Sequence, residues 1–287
     1  MKQLKDILEG ILDKKNTKSV GRNILIIETE QFLKKNFNFI LDCKYTIREE
    51  LTKDGKLIVD CNGTVVLEEI NIDSFTNDSF VWGYVRHFDC SRYNGKKLNG
   101  CPEKCRSFEC TSSQIETLEG ITQDCEYFFL ISNANLKSLI GLPDKCIIVE
   151  CDYCNSLTDL TGAPKFVHEK FSCSFCDSLK SLKGAPEKMG TYLTMGMGVL
   201  GFRCIGCKSL KTLDGAPEEC VDFDCSDCRK LKSLKGAPKK CKSFICDNCK
   251  GIKDVTDCPE CERISCLNCN KIEDWTPIYD RCKKVTY

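Results

Sequence analysis

A Cys-x-x-Cys-x-x-Leu-x-x-Leu phrase recurs through this chain with a period of 20 to 22 residues, and that period limits the fold more than any other feature. It reads Cys151, Cys154, Leu157, Leu160, then Cys173, Cys176, Leu179, Leu182. Further copies are Cys204, Cys207, Leu210, Leu213 and Cys225, Cys228, Leu231, Leu234. A Gly-Ala-Pro turn follows each, at Gly162, Gly184, Gly215 and Gly236. Self-similarity at this period marks a solenoid, in which each repeat is one coil that hides its apolar face on the next.

Counting three residues back from the apolar residue at position four, coils start at Val85, Cys105, Cys125, Cys146, His168, Val199, Cys220, Cys241, Cys261 and Cys282. Position four is apolar throughout: Phe88, Phe108, Phe128, Val149, Phe171, Phe202, Phe223, Phe244, Ile264, Val285. Position six is cysteine in the first nine coils, except for Leu130, and position nine is Asn133 once and cysteine six times. Of 25 cysteines, 21 fall at positions one, six and nine, where a coil points its side chains inward. This matches the leucine-rich-repeat phrase with cysteine substituted into it. The expectation is a mainly β solenoid, a right-handed coil of about ten repeats with a parallel strand ladder. In it the cysteines act as small buried hydrophobes.

Metal binding is the sharper alternative. Cys151, Cys154, Cys173, Cys176, Cys204, Cys207, Cys225, Cys228, Cys246, Cys249, Cys266 and Cys269 form Cys-x-x-Cys pairs that could hold zinc or an iron–sulfur cluster between stacked coils. Zinc knuckles, however, come as two pairs at irregular spacing. Here each pair is locked to an apolar residue two before, Phe in four of the six, and to a Leu or Ile three after, which is a core pattern. The reading is therefore no metal and no cofactor. Met1–Asp13 is charged and amphipathic, with no apolar export signal, so the thiol load suggests a reducing compartment and argues against disulfides.

Residues 1–20 read as an amphipathic segment followed by the polar run Lys14–Ser19, and 21–80 as a small α+β cap for the open end of the coils. Within the cap, Glu28–Phe37 suits a helix. Tyr45–Ile47, Leu57–Asp60 and Val65–Glu68 suit strands, with turns at Asp54-Gly55 and Asn62-Gly63. The solenoid takes 81–287, with an apolar insertion at 189–198 and terminal cover from Trp275, Ile278 and Tyr279. Basic and acidic residues balance at 42 each, and no apolar run is long enough for a membrane span.

Several phrases, SLKSLKGAPEKMG (178–190), VDFDCSDCRKLKSLKGAPKKC (221–241), IDSFTNDSFVWGYV (72–85), the hairpin Lys44–Glu68 and the opening MKQLKDILEGILD, resemble leucine-rich-repeat-like proteins of tailed bacteriophages of gut bacteria. The resemblance covers nearly the whole chain. It implies a solenoid, a phage origin and a place in the host cytoplasm or in the virion. It implies no activity. Cysteine at position one and the insertion depart from the family pattern. More remotely, the coils are similar to the short repeats of bacterial effector proteins.

On a solenoid the outward strand positions three, five, seven and eight form the concave binding ribbon. In the middle coils these are Tyr127, Phe129, Ile131, Ile148, Glu150, Asp152, Tyr153 and Phe175. Aromatic residues pointing to solvent mark interaction sites more often than polar filler does, so these eight are the candidate protein-binding residues. Asp222, Asp224, Asp227 and Asp247 make an acidic flank. A lysine column, Lys137, Lys180, Lys211, Lys232 and Lys253, reads as a solvated turn face, and the zero net charge argues against nucleic acid. Catalysis finds no support: the histidines are His87 and His168 alone, and no nucleophile motif or phosphate-cradling loop occurs. The expected role is a non-catalytic interaction module for a host or phage protein. The alternative is a virion component attached through Met1–Asp13.

Overall fold

Residues 17–40, 45–67, 72, 74–190 and 201–287 are described by a computed structural model, and over them the chain is a β-solenoid built on one 14-stranded sheet. It opens with α1 (Thr17–Asn36), β1 (Phe37–Ile40), β2 (Tyr45–Leu51) and β3 (Leu57–Leu67). Helix α1 starts well before Glu28, because its packing stripe of Leu25, Ile26, Phe32 and Leu33 extends upstream. Strand β3 is continuous where the sequence suggests two strands. Asn62-Gly63 does not reverse the chain. Instead it sits within a register shift between Cys61 and Thr64, a bulge that lets β3 pair with β1 and β2 antiparallel on one side. On its other side β3 pairs in parallel with β4 (Phe80–Asp89), so the N-terminal unit continues the ladder. Phe37, Phe75 and Trp82 pack around Phe88, with ring centroids 5.3 to 6.4 Å apart, and cover the first coil.

The coils add β5 (Lys104–Glu109), β6 (Tyr127–Phe129), β7 (Lys145–Glu150), β8 (Phe166–Ser172), β9 (Lys188–Met189), β10 (Gly201–Arg203), β11 (Glu219–Asp224), β12 (Lys240–Ile245) and β13 (Glu260–Ser265). Parallel pairing places like residues on like, and every position-four residue faces its equivalent in the next coil. Phe171, Phe202, Phe223 and Phe244 thereby form a column of rings 5.3 Å apart, tilted by no more than 10°. Each Gly-Ala-Pro turn is closed by the Ala N–H donating to the Leu C=O three residues earlier, as Ala185 does to Leu182 at 2.9 Å. Gly184 has φ +85°, and a Cβ there would lie 2.7 Å from the Thr161 nitrogen in the coil below, so only glycine fits.

Two coil starts differ from the sequence reading. Val167, not His168, pairs with Cys146 and is fully buried, and β8 carries one extra residue before Phe171. In the next coil Met189, not Val199, pairs with Val167 and fills the inner position. That coil's rung is split: β9 supplies position one, and β10 supplies position four after the insertion. The expectation for the insertion falls mainly on 191–200, and that for Met1–Asp13 falls wholly outside the described residues.

The far end closes with α2 (Thr276–Arg281) and β14 (Cys282–Thr286). Ile278 is fully buried and Trp275 packs against Tyr287 at 5.4 Å, whereas Tyr279 is 54% exposed. Between β4 and α2 the described residues contain no helix, and no described helix is long and apolar enough to cross a membrane.

Candidate functional site

Three columns run along the solenoid, and each was a candidate: the inner cysteines, the outer strand face and the lysine turn face.

The position-nine cysteines point inward, and each donates its Sγ–H to the position-six carbonyl of the coil before. Cys154 donates to Leu130, Cys176 to Cys151, Cys207 to Cys173, Cys228 to Cys204, Cys249 to Cys225 and Cys269 to Cys246, all at 3.1 to 3.3 Å. Asn133 does the same task in the third coil, with Nδ2 donating to Cys110 at 2.7 Å and Leu130 at 2.9 Å. The thiols therefore form a hydrogen-bonding ladder in place of an asparagine ladder. Burial pushes the thiols of Cys151, Cys173 and Cys176 up, and that of Cys154 up to about 12. Such groups are neutral near pH 7 and are poor nucleophiles and poor metal ligands. Among the described residues no group of three or more His, Cys, Asp or Glu is placed to hold a metal ion. The 23 cysteines of the coils and their turns are free thiols; Cys61 is disulfide-bonded, against the expectation of reduced thiols throughout. It sits on β3 in the N-terminal unit, paired in register with Val85 at position one of the first coil.

On the strand face, register brings Tyr127 beside Ile148 and Phe129 beside Glu150. These four and Ile131 are half-buried. Two of the eight predicted residues are committed elsewhere. Glu150 pairs with Lys170 at 2.6 Å, and Asp152 accepts hydrogen bonds from Ser172 Oγ (2.6 Å) and Ser174 N–H (2.7 Å), tying two coils together. Burial nonetheless holds the Asp152 carboxyl above its usual range. In the acidic flank Asp247 acts the same way, accepting from Ser265 Oγ and Leu267 N–H of the next coil, whereas Asp224 accepts from Ser226 in its own coil. Sequence reasoning missed Lys170, which borders the patch, and Arg106, whose guanidinium lies 5.8 Å from the Tyr127 ring centre.

Tyr153 and Phe175 stand apart. Their rings stack at 4.9 Å and 11°, while the residues remain 47% and 39% exposed. Both occupy position eight, where the chain turns out of the strand through the left-handed region, at φ +60° and +58°. The same conformation recurs at Arg92, Ser112, Ser132, Gly206, Asp227, Asn248 and Asn268, mostly small or polar residues. Gly206 continues the stack: a Cβ there would come 2.5 Å from Phe175 Cδ1, so the ring lies directly over that glycine.

His87, at position three of the first coil, has its imidazole pKa lowered by burial and then by Arg86 and Arg106. His168 lies at the β8 irregularity instead of at a coil start.

The architecture defines a class: a β-solenoid whose coils are tied by a buried cysteine ladder and which presents an exposed aromatic stack on its strand face. No protein-family model matches the chain, and no curated protein or solved structure matches it either.

Proposed function

We propose that the chain is a non-catalytic docking module that binds a protein partner on its strand face, centred on Tyr153 and Phe175. The phage resemblance of its repeats makes a host or phage protein in the infected cell the natural partner. The observation that carries this reading is the break in the rule at position eight. A bulky residue in the left-handed region costs on the order of 1 kcal/mol or more, and an exposed ring forgoes the gain from burial. Departures from local preference with no structural return tend to sit at functional positions. Here the two departures are adjacent, stacked on each other and continuous with Phe129, Ile131 and Ile148. Stacked aromatic residues are also the commonest anchors of protein interfaces. The partner should insert an apolar side chain between this stack and Ile131, with an acidic group near Arg106 or Lys170.

The test is affinity capture from infected cells under reducing conditions, comparing wild type with Tyr153→Asn/Phe175→Asn. Asparagine suits the left-handed turn, as at Asn248 and Asn268, so the variant should melt no lower than wild type. A partner retained by the wild type and lost with the variant supports the reading. Equal capture by both, or a variant that unfolds, contradicts it.

A further inference from the structure

A second surface lies on the turn face that follows position nine. Lys211, Arg229, Lys230, Lys232, Lys253 and Lys271 line an open depression of about 710 Å³ with Gly251 among them, and no carboxylate contributes. All six cations are exposed, and none takes part in an ion pair among the described residues.

Other stretches of the solenoid carry matched pairs. There a cation meets a carboxylate one coil away: Lys104 to Asp124 (2.8 Å), Lys165 to Asp144 (3.1 Å), Lys208 to Asp177 (2.8 Å) and Lys239 to Glu218 (2.8 Å). At the N-terminal end of the same turn column, Glu116 sits between Lys96 and Lys137 and binds both, at 2.8 and 2.7 Å. A column that only needed to stay solvated would alternate in this way, because like charges on neighbouring rungs repel. Backbone bonds from Lys211 N–H to Lys180 and from Lys253 N–H to Lys232 stack the lysines rung upon rung, at ~4.8 Å spacing. The zero net charge of the chain is an average that hides this segregation.

We propose that this depression binds the phosphate groups of a chain-like polyphosphorylated ligand, either the backbone of a nucleic acid or a free polyphosphate. Five of the six cations are lysines, which act as point charges and suit phosphate without demanding a fixed planar geometry. No aromatic side chain lines the site, so bases would not stack there, and recognition would be of phosphate and independent of sequence. The site uses none of the strand-face residues, so it stands or falls separately from the docking role.

The experiment is fluorescence anisotropy of the full reduced chain with a labelled mixed-sequence duplex, using inorganic tripolyphosphate and oligoglutamate as competitors. The account expects binding at low salt with a log–log salt slope of about −4 to −5, the value for neutralising roughly five phosphates. Lys211→Gln/Lys232→Gln/Lys253→Gln should weaken binding by ~30-fold or more at low salt and flatten the slope by ~3. Lys96→Gln/Lys137→Gln, in the neutralised part of the column, should change affinity less than about twofold. Competition by tripolyphosphate extends the assignment to free polyphosphate, and duplex binding without it assigns nucleic acid. The proposal is overturned if neither phosphate ligand binds, if oligoglutamate competes as well as tripolyphosphate, or if the triple variant binds like wild type while circular dichroism shows both folded.

Discussion

Coils one to three and coils four to nine solve the same problem with different side chains. In the first three, position nine holds Tyr93, Ser113 and Asn133; in the next six it is always cysteine. Asn133 is a two-way clamp, donating to Cys110 and Leu130 and accepting from both the backbone N–H and the hydroxyl of Ser113. A position-nine cysteine makes one sulfur bond to the coil before it. The outer turn differs in the same sense, with ion pairs around Glu116 at one end and unpaired lysines at the other. Stability in a solenoid is close to a sum of coil terms and nearest-neighbour interfaces. The N-terminal coils gain theirs from polar groups that satisfy one another. The C-terminal coils gain theirs from regular stacking of rings and from buried thiols.

The largest separation between the two regions should appear with pH. Burial raises the thiols of Cys151, Cys173 and Cys176, and that of Cys154 to about 12, while an unfolded cysteine ionises near 8.5. Below that pH both states keep the proton and stability is unaffected. Above it only the unfolded chain releases protons, so stability falls by about 1.4 kcal/mol per pH unit for each such thiol until the folded thiol ionises too. Melting under reductant should therefore drop steeply between pH 8 and 10, and hydrogen exchange should show coils four to nine losing protection first. A flat melting temperature over that range would remove the thiols from the stability account.

Single substitutions should divide in the same direction. Asn133→Ala strands the Cys110 carbonyl and the Ser113 groups, leaves the Leu130 carbonyl to the Cys154 thiol alone, and should cost about 3–4 kcal/mol in urea unfolding. Cys207→Ala loses one sulfur bond and a small volume and should cost about 1–2 kcal/mol. Equal losses at the two sites would mean that the clamp and the ladder are energetically the same device.

Much of this was legible because a repeat states each instruction many times. The position-four phenylalanines, the Gly-Ala-Pro turns and the inward columns at six and nine all followed from phase. Legibility failed where an instruction occurs once. The irregularity in β8 and the split rung at Met189 shift the inner position without changing the apolar pattern, so counting back from the position-four phenylalanine chose His168 and Val199. Asn62-Gly63 fits a hairpin and a bulge equally well by composition, and pairing with β4 decided for the bulge. The outer face was legible only as residue types. That Asp152 is tied to Ser172 while Tyr153 stacks on Phe175 depends on contacts between coils, which no single repeat encodes. The segregation of lysines was visible as a column, but their lack of acidic partners appears only when neighbouring coils are laid side by side.

The central claim is that the cysteines at positions six and nine are a buried, closed core, so that any binding falls to the outer faces. Site-resolved alkylation at pH 8, read by mass spectrometry before and after denaturation under reductant, tests it most directly. The account predicts that Cys151, Cys154, Cys204, Cys207, Cys225 and Cys228 stay unlabelled in the native protein and label fully once unfolded. Rapid native labelling of these residues, or their protection by a co-purifying metal that a chelator removes, would contradict it.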